Sequence, residues 1–232
     1  MIFAVVIPDA VNYTRTILLL IFIVILFIGS TYMMLRARKI ELHSAKRILQ
    51  GYALFGFSFA FTRIFFLFSA YYTTIGDVYS SAIWTVSAYA VTMASIVFIF
   101  LVVERYILAK KPIFASIAFI SLCVDLLALF FTIFSLPIGG LASKDLALFV
   151  QNIIAPILGL AICVLYLVII KNTTGAVKAK AIKTFIGVFL ILMGILLDSG
   201  LFTSIEAFSV IRAILTPVLF IIGVLIVFYS IK

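Results

Sequence analysis

Long apolar runs separated by short polar gaps are the main pattern along this chain. Seven such runs, each of about 20 residues or more, lie between residues 11 and 231. A helix of about 20 apolar residues spans a hydrocarbon core of roughly 30 Å. The pattern therefore predicts an all-α integral membrane protein, with residues 1–232 forming a single seven-helix transmembrane domain. The predicted spans are 11–36, 46–72, 79–108, 112–136, 146–171, 180–203 and 206–231.

Basic residues concentrate in every second gap and at the C-terminus. This asymmetry predicts an extracytoplasmic N-terminus and a cytoplasmic C-terminus, since cytoplasmic loops carry an excess of Lys and Arg. We expect residence in the plasma membrane. The basic residues concerned are Arg36, Arg38, Lys39, Lys46, Arg47, Arg105, Lys110, Lys111, Lys171, Lys178, Lys180, Lys183 and Lys232.

The net charge of +9 points to a membrane surface, because the charge is gathered on one predicted face. Anionic lipid headgroups are the expected partners of that face. A membrane or cytoplasmic protein partner is a second possibility, and nucleic acid is not expected. The gaps are also short, so function must lie in the bundle, at its faces or in a partner.

Small and polar side chains recur at helical spacing within five of the predicted helices. Such stripes mark the faces that a membrane helix turns away from lipid. Two interpretations of these stripes are open. One is close helix packing through small residues, and the other is a polar cavity inside the bundle. The stripes are Ser81, Thr85, Tyr89, Thr92 and Ser95; Ala118, Ser121, Asp125, Ala128 and Thr132; Asn152, Ala155, Gly159, Cys163 and Tyr166; Gly187, Gly194 and Asp198; and Ser209, Arg212, Thr216 and Gly223.

Ionisable residues within the spans are the strongest candidates for function, because a charge at the bilayer centre costs at least about 2.5 kcal/mol. A structural salt-bridge network is one interpretation. The other is an outward-facing polar pocket, in which arginines meet an anionic group and aspartates a cationic one. The candidate ligand-binding residues are Arg63, Tyr89, Asp125, Asp198 and Arg212. We expect Arg63 to pair with an acid, with Asp125 and Asp198 as the leading partners.

Two prolines fall inside predicted helices. Pro156 lies in the fifth span and Pro217 in the seventh. Since proline removes a backbone donor and clashes with the preceding turn, both positions predict a bend. A bent helix also frees backbone carbonyls, which are useful in a ligand site or a moving element.

The cytoplasmic end of the third predicted helix reads Glu104-Arg105-Tyr106. This sequence resembles the Glu-Arg-Tyr variant of the helix-three switch motif of rhodopsin-like receptors, and helix number and orientation agree with that family. The resemblance implies a cytoplasmic switch at Glu104 and Arg105. The family's extracellular cysteine pair, its Trp-Pro motif in helix six and its Asn-Pro motif in helix seven are absent. More loosely, the pattern is similar to the heptahelical regions of archaeal and bacterial sensor proteins.

Several chemistries are excluded by missing residues. The only histidine, His43, lies in a predicted loop, so a bis-histidine haem or a membrane zinc hydrolase has no ligands. Cys123 and Cys163 lie in apolar runs and are expected to be packing residues. The last helix has no lysine before Lys232 for a retinal Schiff base. We therefore expect no metal, no cofactor and no catalytic residues.

A non-enzymatic heptahelical protein of receptor or sensor type is the leading hypothesis. It would combine an outward-facing polar pocket with a basic cytoplasmic face. A small-solute or ion transporter is one alternative, since coupled transport needs ionisable groups in the membrane. An accessory subunit of a larger membrane complex is another, favoured by the lack of an output domain.

Overall fold

The computed structural model describes residues 9–135, 143–198 and 206–231, and over these residues the chain is helical without any strand. Two of the helical runs contain a π-helical segment, which we label π1 and π2. The elements are α1 (Asp9–Arg38), α2 (His43–Thr74), α3 (Val78–Leu101), π1 (Val102–Ile107), α4 (Ile113–Ile133), α5 (Ser143–Phe149), π2 (Val150–Ile154), α6 (Ala155–Asn172), α7 (Gly175–Asp198) and α8 (Glu206–Ile231).

Seven helical runs in the described part of the chain are long and apolar enough to cross a membrane. The third consists of α3 and π1, and the fifth of α5, π2 and α6. The helical content confirms the predicted all-α class, and the number of long apolar helices agrees with the seven predicted spans. The sixth run begins at Gly175 rather than at residue 180, because α7 takes in the lysine-rich turns before its apolar stretch. Residues 199–203 of the predicted sixth span lie outside the described residues.

The helices group into two compact units, which meet along the chain at residues 25–26 and 162–163. The first contains α2, α3, π1, α4, α5 and π2, together with the C-terminal part of α1 and the start of α6. The second contains the N-terminal part of α1, the rest of α6, and α7 and α8. In the first unit α3 packs against both α2 and α4, and in the second α7 packs against α8.

Hydroxyl side chains in the first unit bond mainly to one another and to the preceding helical turn. Between α2 and α3, Ser69 Oγ lies 2.6 Å from Thr85 Oγ1 and Thr73 Oγ1 lies 2.7 Å from Ser81 Oγ. Thr92 donates to the carbonyl of Ala88 at 2.8 Å. Such bonds satisfy polar groups without water. They support the close-packing interpretation of the stripe on the third predicted helix.

The N-terminus of α3 is capped by Asp77, which lies outside the spanning segments. Its carboxylate accepts hydrogen bonds from the hydroxyl of Ser80 at 2.6 Å and from the backbone N–H of Ser80 at 3.0 Å. Both bonds favour the charged form and lower the pKa of Asp77. A side-chain acceptor at this position satisfies a donor that the first helical turn leaves open.

The stripe predicted on the fifth helix is wrong at Asn152, whose side chain is exposed. The reason is π2, which places an extra residue in one turn immediately before Pro156. The buried positions step from Val150 to Ala155, five residues, and then return to helical spacing. Asn152 is thereby rotated off the buried face, whereas Ala155, Cys163 and Tyr166 remain on it.

The stripe on α4 is confirmed position by position. Its buried residues are Ala115, Ala118, Ser121, Asp125, Ala128 and Thr132. The larger apolar side chains of α4, including Phe119, Ile120 and Phe130, are exposed and suited to contact with lipid. The expectation that Cys123 is a packing residue is wrong, because its side chain is exposed on the same outer face of α4.

Close contact between α7 and α8 depends on two glycines. A Cβ atom at Gly187 would lie 2.6 Å from the carbonyl oxygen of Gly223, and one at Gly223 would lie 2.7 Å from that of Gly187. Both obstacles are backbone atoms, which cannot turn aside. In the same unit, Phe22 of α1 stacks on Phe220 of α8 with ring centroids 5.3 Å apart.

We expect Gly223→Ala to lower the free energy of unfolding by about 2 kcal/mol, because the added methyl group overpacks a backbone contact. The measurement is equilibrium unfolding in mixed micelles. Leu225→Ala is the matched control, since Leu225 is 49% exposed on the same helix. Equal effects of the two substitutions would contradict the close approach.

Candidate functional site

Asp125 is a carboxylate enclosed within the first unit. Its side chain is fully buried, and neither carboxylate oxygen has a hydrogen-bond partner among the described residues. It lies twelve residues after Ile113, the first residue of α4, which corresponds to about 18 Å along the helix axis. That depth is close to the middle of a bilayer core of about 30 Å. Burying a carboxylate without a partner costs several kcal/mol, because its charged form loses its hydration.

Small and aromatic residues surround the part of α4 that follows Asp125. Ala128, one turn further on, forms a buried cluster with Val86 of α3 and Ala147 of α5. Tyr89 packs against this cluster and meets the ring of Phe66 edge to face at 5.7 Å. The structure therefore brings Tyr89 and the Asp125 face of α4 to one interface between α3 and α4.

Arg63 is buried on α2, and its guanidinium lies over two aromatic rings of the same helix. The centroid distances are 5.1 Å to Phe59 and 5.8 Å to Phe66. Such contacts place a cation on the negative face of a ring. Through Phe66 they connect Arg63 to Tyr89.

The predicted pairing of Arg63 with Asp125 is wrong, since the Asp125 oxygens accept no hydrogen bond. Position along the helices explains the difference. Arg63 lies twenty residues after the start of α2, and Asp125 twelve after the start of α4. If α2 and α4 begin at similar depths, as their basic preceding loops suggest, the two residues differ by about 12 Å along the helix axes.

Asp198 is engaged in an ion pair in the second unit. Arg15 Nη2 donates to Asp198 Oδ1 at 3.0 Å, with both side chains partly exposed. This is the geometry that the salt-bridge interpretation expects. Ion pairs with this degree of exposure contribute little to stability, commonly below about 1 kcal/mol. Asp198 therefore differs from Asp125, whose carboxylate has no ion-pair partner among the described residues.

Arg212 and Thr216 form a second set of unsatisfied polar groups, on α8. Arg212 Nη1 and Thr216 Oγ1 are both buried and have no hydrogen-bond partner among the described residues. They lie one helical turn apart, and Pro217 follows directly. Since Pro217 has no N–H, the carbonyl of Ala213 also lacks its usual helical donor.

Glu104 of π1 caps α4 from a distance. Its carboxylate is buried and accepts the backbone N–H groups of Phe114 at 3.0 Å and Ala115 at 2.9 Å. A negative charge at this position also interacts favourably with the positive, N-terminal end of the α4 dipole. The backbone carbonyl of Glu104 accepts the N–H of Lys110 at 2.8 Å, across a turn in which Ala109 has a φ of 52°.

Sequence reasoning singled out Glu104 as a possible switch and missed this cap. The signal was available. Pro112 precedes the first residue of α4 and has no side-chain acceptor, so the first N–H groups of α4 need an acceptor from elsewhere. Arg105, the next residue, is exposed. The switch role of Glu104 and Arg105 stays a prediction.

The five candidate ligand residues fall in both units, with Arg63, Tyr89 and Asp125 in the first and Asp198 and Arg212 in the second. That they border one outward-facing cavity stays a prediction. Among the described residues, no three His, Cys, Asp or Glu side chains come together as a metal site requires. No protein-family model matches the chain, and no curated protein or solved structure does.

We expect Glu104→Gln to lower the free energy of unfolding by about 1–3 kcal/mol, because an amide oxygen cannot replace two charge-assisted bonds to Phe114 and Ala115. The measurement is equilibrium unfolding of the purified protein. Arg105→Gln is the control and should change stability by less than about 0.5 kcal/mol, as is usual for surface positions. A Glu104→Gln protein with the same free energy of unfolding as the wild type would refute the capping role.

Proposed function

We propose that this chain is a non-enzymatic membrane protein of receptor or sensor type, in which Asp125 binds a cationic group. The observation that carries the proposal is the fully buried Asp125 carboxylate without a hydrogen-bond partner among the described residues. Membrane proteins rarely keep an acid at this depth unless it has a role. A bound cation supplies the missing counter-charge.

The surroundings of Asp125 favour a small ligand. The buried face of α4 carries Ser121 one turn before Asp125 and Ala128 one turn after it. Ser121 donates its hydroxyl proton to the carbonyl of Ile117 at 3.0 Å, so its oxygen retains acceptor capacity. A small inorganic cation or a primary amine fits this combination of one carboxylate, one hydroxyl oxygen and small side chains.

Helix α4 could transmit a displacement from this site to its own N-terminal end, where Glu104 caps it. Asp125 lies ten residues after Ala115, which Glu104 caps, so the two points are about 15 Å apart on one helix. A displacement of α4 on binding would therefore reach π1 and the exposed residues Arg105, Lys110 and Lys111. In the proposed topology these residues are cytoplasmic and the N-terminus is outside, as the charge asymmetry indicates.

Cation-dependent thermal stability tests the proposal. Purified protein is unfolded by heat in chloride salts of Na⁺, K⁺ or methylammonium, with N-methylglucamine chloride as the reference at equal ionic strength. We expect at least one probe to raise the midpoint by about 3 °C or more at saturation. Asp125→Asn should abolish this rise, because the amide keeps the volume and removes the charge.

The stability of Asp125→Asn without a stabilising cation shows whether Asp125 has a binding role or a structural one. With the reference salt, Asp125→Asn should be as stable as the wild type or more stable, since it removes an unpaired buried charge. Asp145→Asn is the control, because Asp145 is exposed, and it should retain the cation effect. If Asp125→Asn is destabilised and no cation stabilises the wild type, the acid is structural and the proposal is wrong.

An ion transporter is the second candidate, favoured by the mid-bilayer depth of the same carboxylate. Reconstituted vesicles distinguish the two. Uptake of the stabilising cation that Asp125→Asn abolishes would identify a transporter, and binding without uptake would support a receptor or sensor. If the chain co-purifies stoichiometrically with one membrane protein and binds no cation, it is an accessory subunit.

The proposed orientation is tested by cysteine labelling in a background that lacks Cys123 and Cys163. A membrane-impermeant maleimide should label Thr74→Cys in intact cells and Lys110→Cys only after permeabilisation. Both positions are exposed. The reverse pattern would show that the N-terminus is cytoplasmic.

A further inference from the structure

A cleft of about 350 Å³ opens between α7 and α8 in the second unit, lined by Lys180, Lys183, Tyr229 and Ser230. The volume falls within the range of small-molecule sites, about 300–1,000 Å³. The lining combines two ammonium groups with an aromatic ring and a hydroxyl group. None of these residues belongs to the Asp125 site.

The walls of the cleft are held by contacts between the two helices. Thr184 Oγ1 lies 2.6 Å from Ser230 Oγ, and both oxygens are buried. The Lys183 ammonium lies 4.9 Å from the centroid of the Tyr229 ring. A cation–π contact therefore positions Lys183, and the side chains of both lysines are exposed. Among the described residues, the lining therefore contains two lysines and no acid.

The depth of the cleft suits the interface between lipid and water. Tyr229 is two residues before Ile231, the last residue of α8. Lys183 lies eight residues after Gly175, the start of α7, which is about 12 Å along the axis. Lysines at such positions extend toward the headgroups, and tyrosines are enriched there.

We propose that this cleft binds a phosphate group, with Lys180 and Lys183 as its counter-charges and Tyr229 as a wall. The phosphate group belongs either to the headgroup of an anionic phospholipid or to a soluble phosphate. A headgroup agrees with the interfacial depth. The proposal does not depend on Asp125, and a diffuse attraction of lipids to the basic loops would not require this cleft.

Lipid-dependent thermal stability of the full chain tests the site. Phosphatidylglycerol is titrated into protein in an uncharged detergent, with phosphatidylcholine and inorganic phosphate as parallel probes. For the Lys180→Gln/Lys183→Gln variant we expect the phosphatidylglycerol midpoint to shift by about tenfold or more. Lys110→Gln/Lys111→Gln removes the same charge from another exposed basic position and should leave the midpoint unchanged.

The parallel probes distinguish a phospholipid headgroup from a soluble phosphate as the ligand. Stabilisation by phosphatidylglycerol alone assigns the site to a lipid headgroup, and stabilisation by inorganic phosphate that the cleft variant abolishes assigns it to a soluble ligand. Equal loss in both double variants, or no stabilisation of the wild type by any probe, would overturn the proposal.

A second pair of variants guards against a folding defect and against confusion with the Asp125 site. Lys180→Gln alone keeps the Lys183–Tyr229 contact and should still weaken phosphatidylglycerol binding several-fold. Asp125→Asn should leave phosphatidylglycerol binding intact. An unchanged midpoint in the Lys180→Gln protein would contradict the proposed role of that lysine.

Discussion

A polar group inside hydrocarbon needs a partner within the protein, because no water is available to bond it. The described structure follows this constraint closely. Seven helical runs satisfy most backbone groups internally, and hydroxyl groups such as those of Thr92 and Thr132 bond to the turn before them. Where α4 begins without a local cap, the carboxylate of Glu104 accepts its first free N–H groups.

A few buried side-chain atoms in the described part of the chain do not follow this constraint. Besides single atoms on Ser30, Arg63 and Gln151, these atoms lie at two sites, Asp125 on α4 and Arg212 with Thr216 on α8. Their chemistry differs, since the first site offers an acceptor for a cation and the second offers donors beside the proline at position 217. The Arg15–Asp198 pair is a useful contrast, because its charges neutralise each other and leave nothing for a ligand to complete.

Much of the fold could be predicted from the sequence because the bilayer imposes a simple rule on helix length and on the inward face. The stripe on α4 is an example, where spacing alone identified Ser121, Asp125 and Thr132 as buried. The error at Asn152 has a local cause, since hydropathy does not reveal the extra residue that π2 places before Pro156.

The candidate site was less accessible to sequence reasoning because partners depend on depth and on side-chain direction. Opposite charge suggested that Arg63 would meet Asp125, yet Arg63 lies over the rings of Phe59 and Phe66. Aromatic residues one turn away on both sides were the signal for that contact. Pro112 showed that the first N–H groups of α4 need an acceptor from elsewhere, but only the tertiary approach between π1 and α4 identifies Glu104 as that acceptor.

Difference density at Asp125 would show whether a cation binds to its carboxylate. Two experimental structures would be determined, one in the cation that most stabilises the protein and one in N-methylglucamine. We expect a non-protein density within bonding distance of the Asp125 carboxylate in the first structure and no such density in the second. An Asp125 carboxylate that stays enclosed and unliganded in both, with the same neighbours, would contradict the claim that this acid is a binding group.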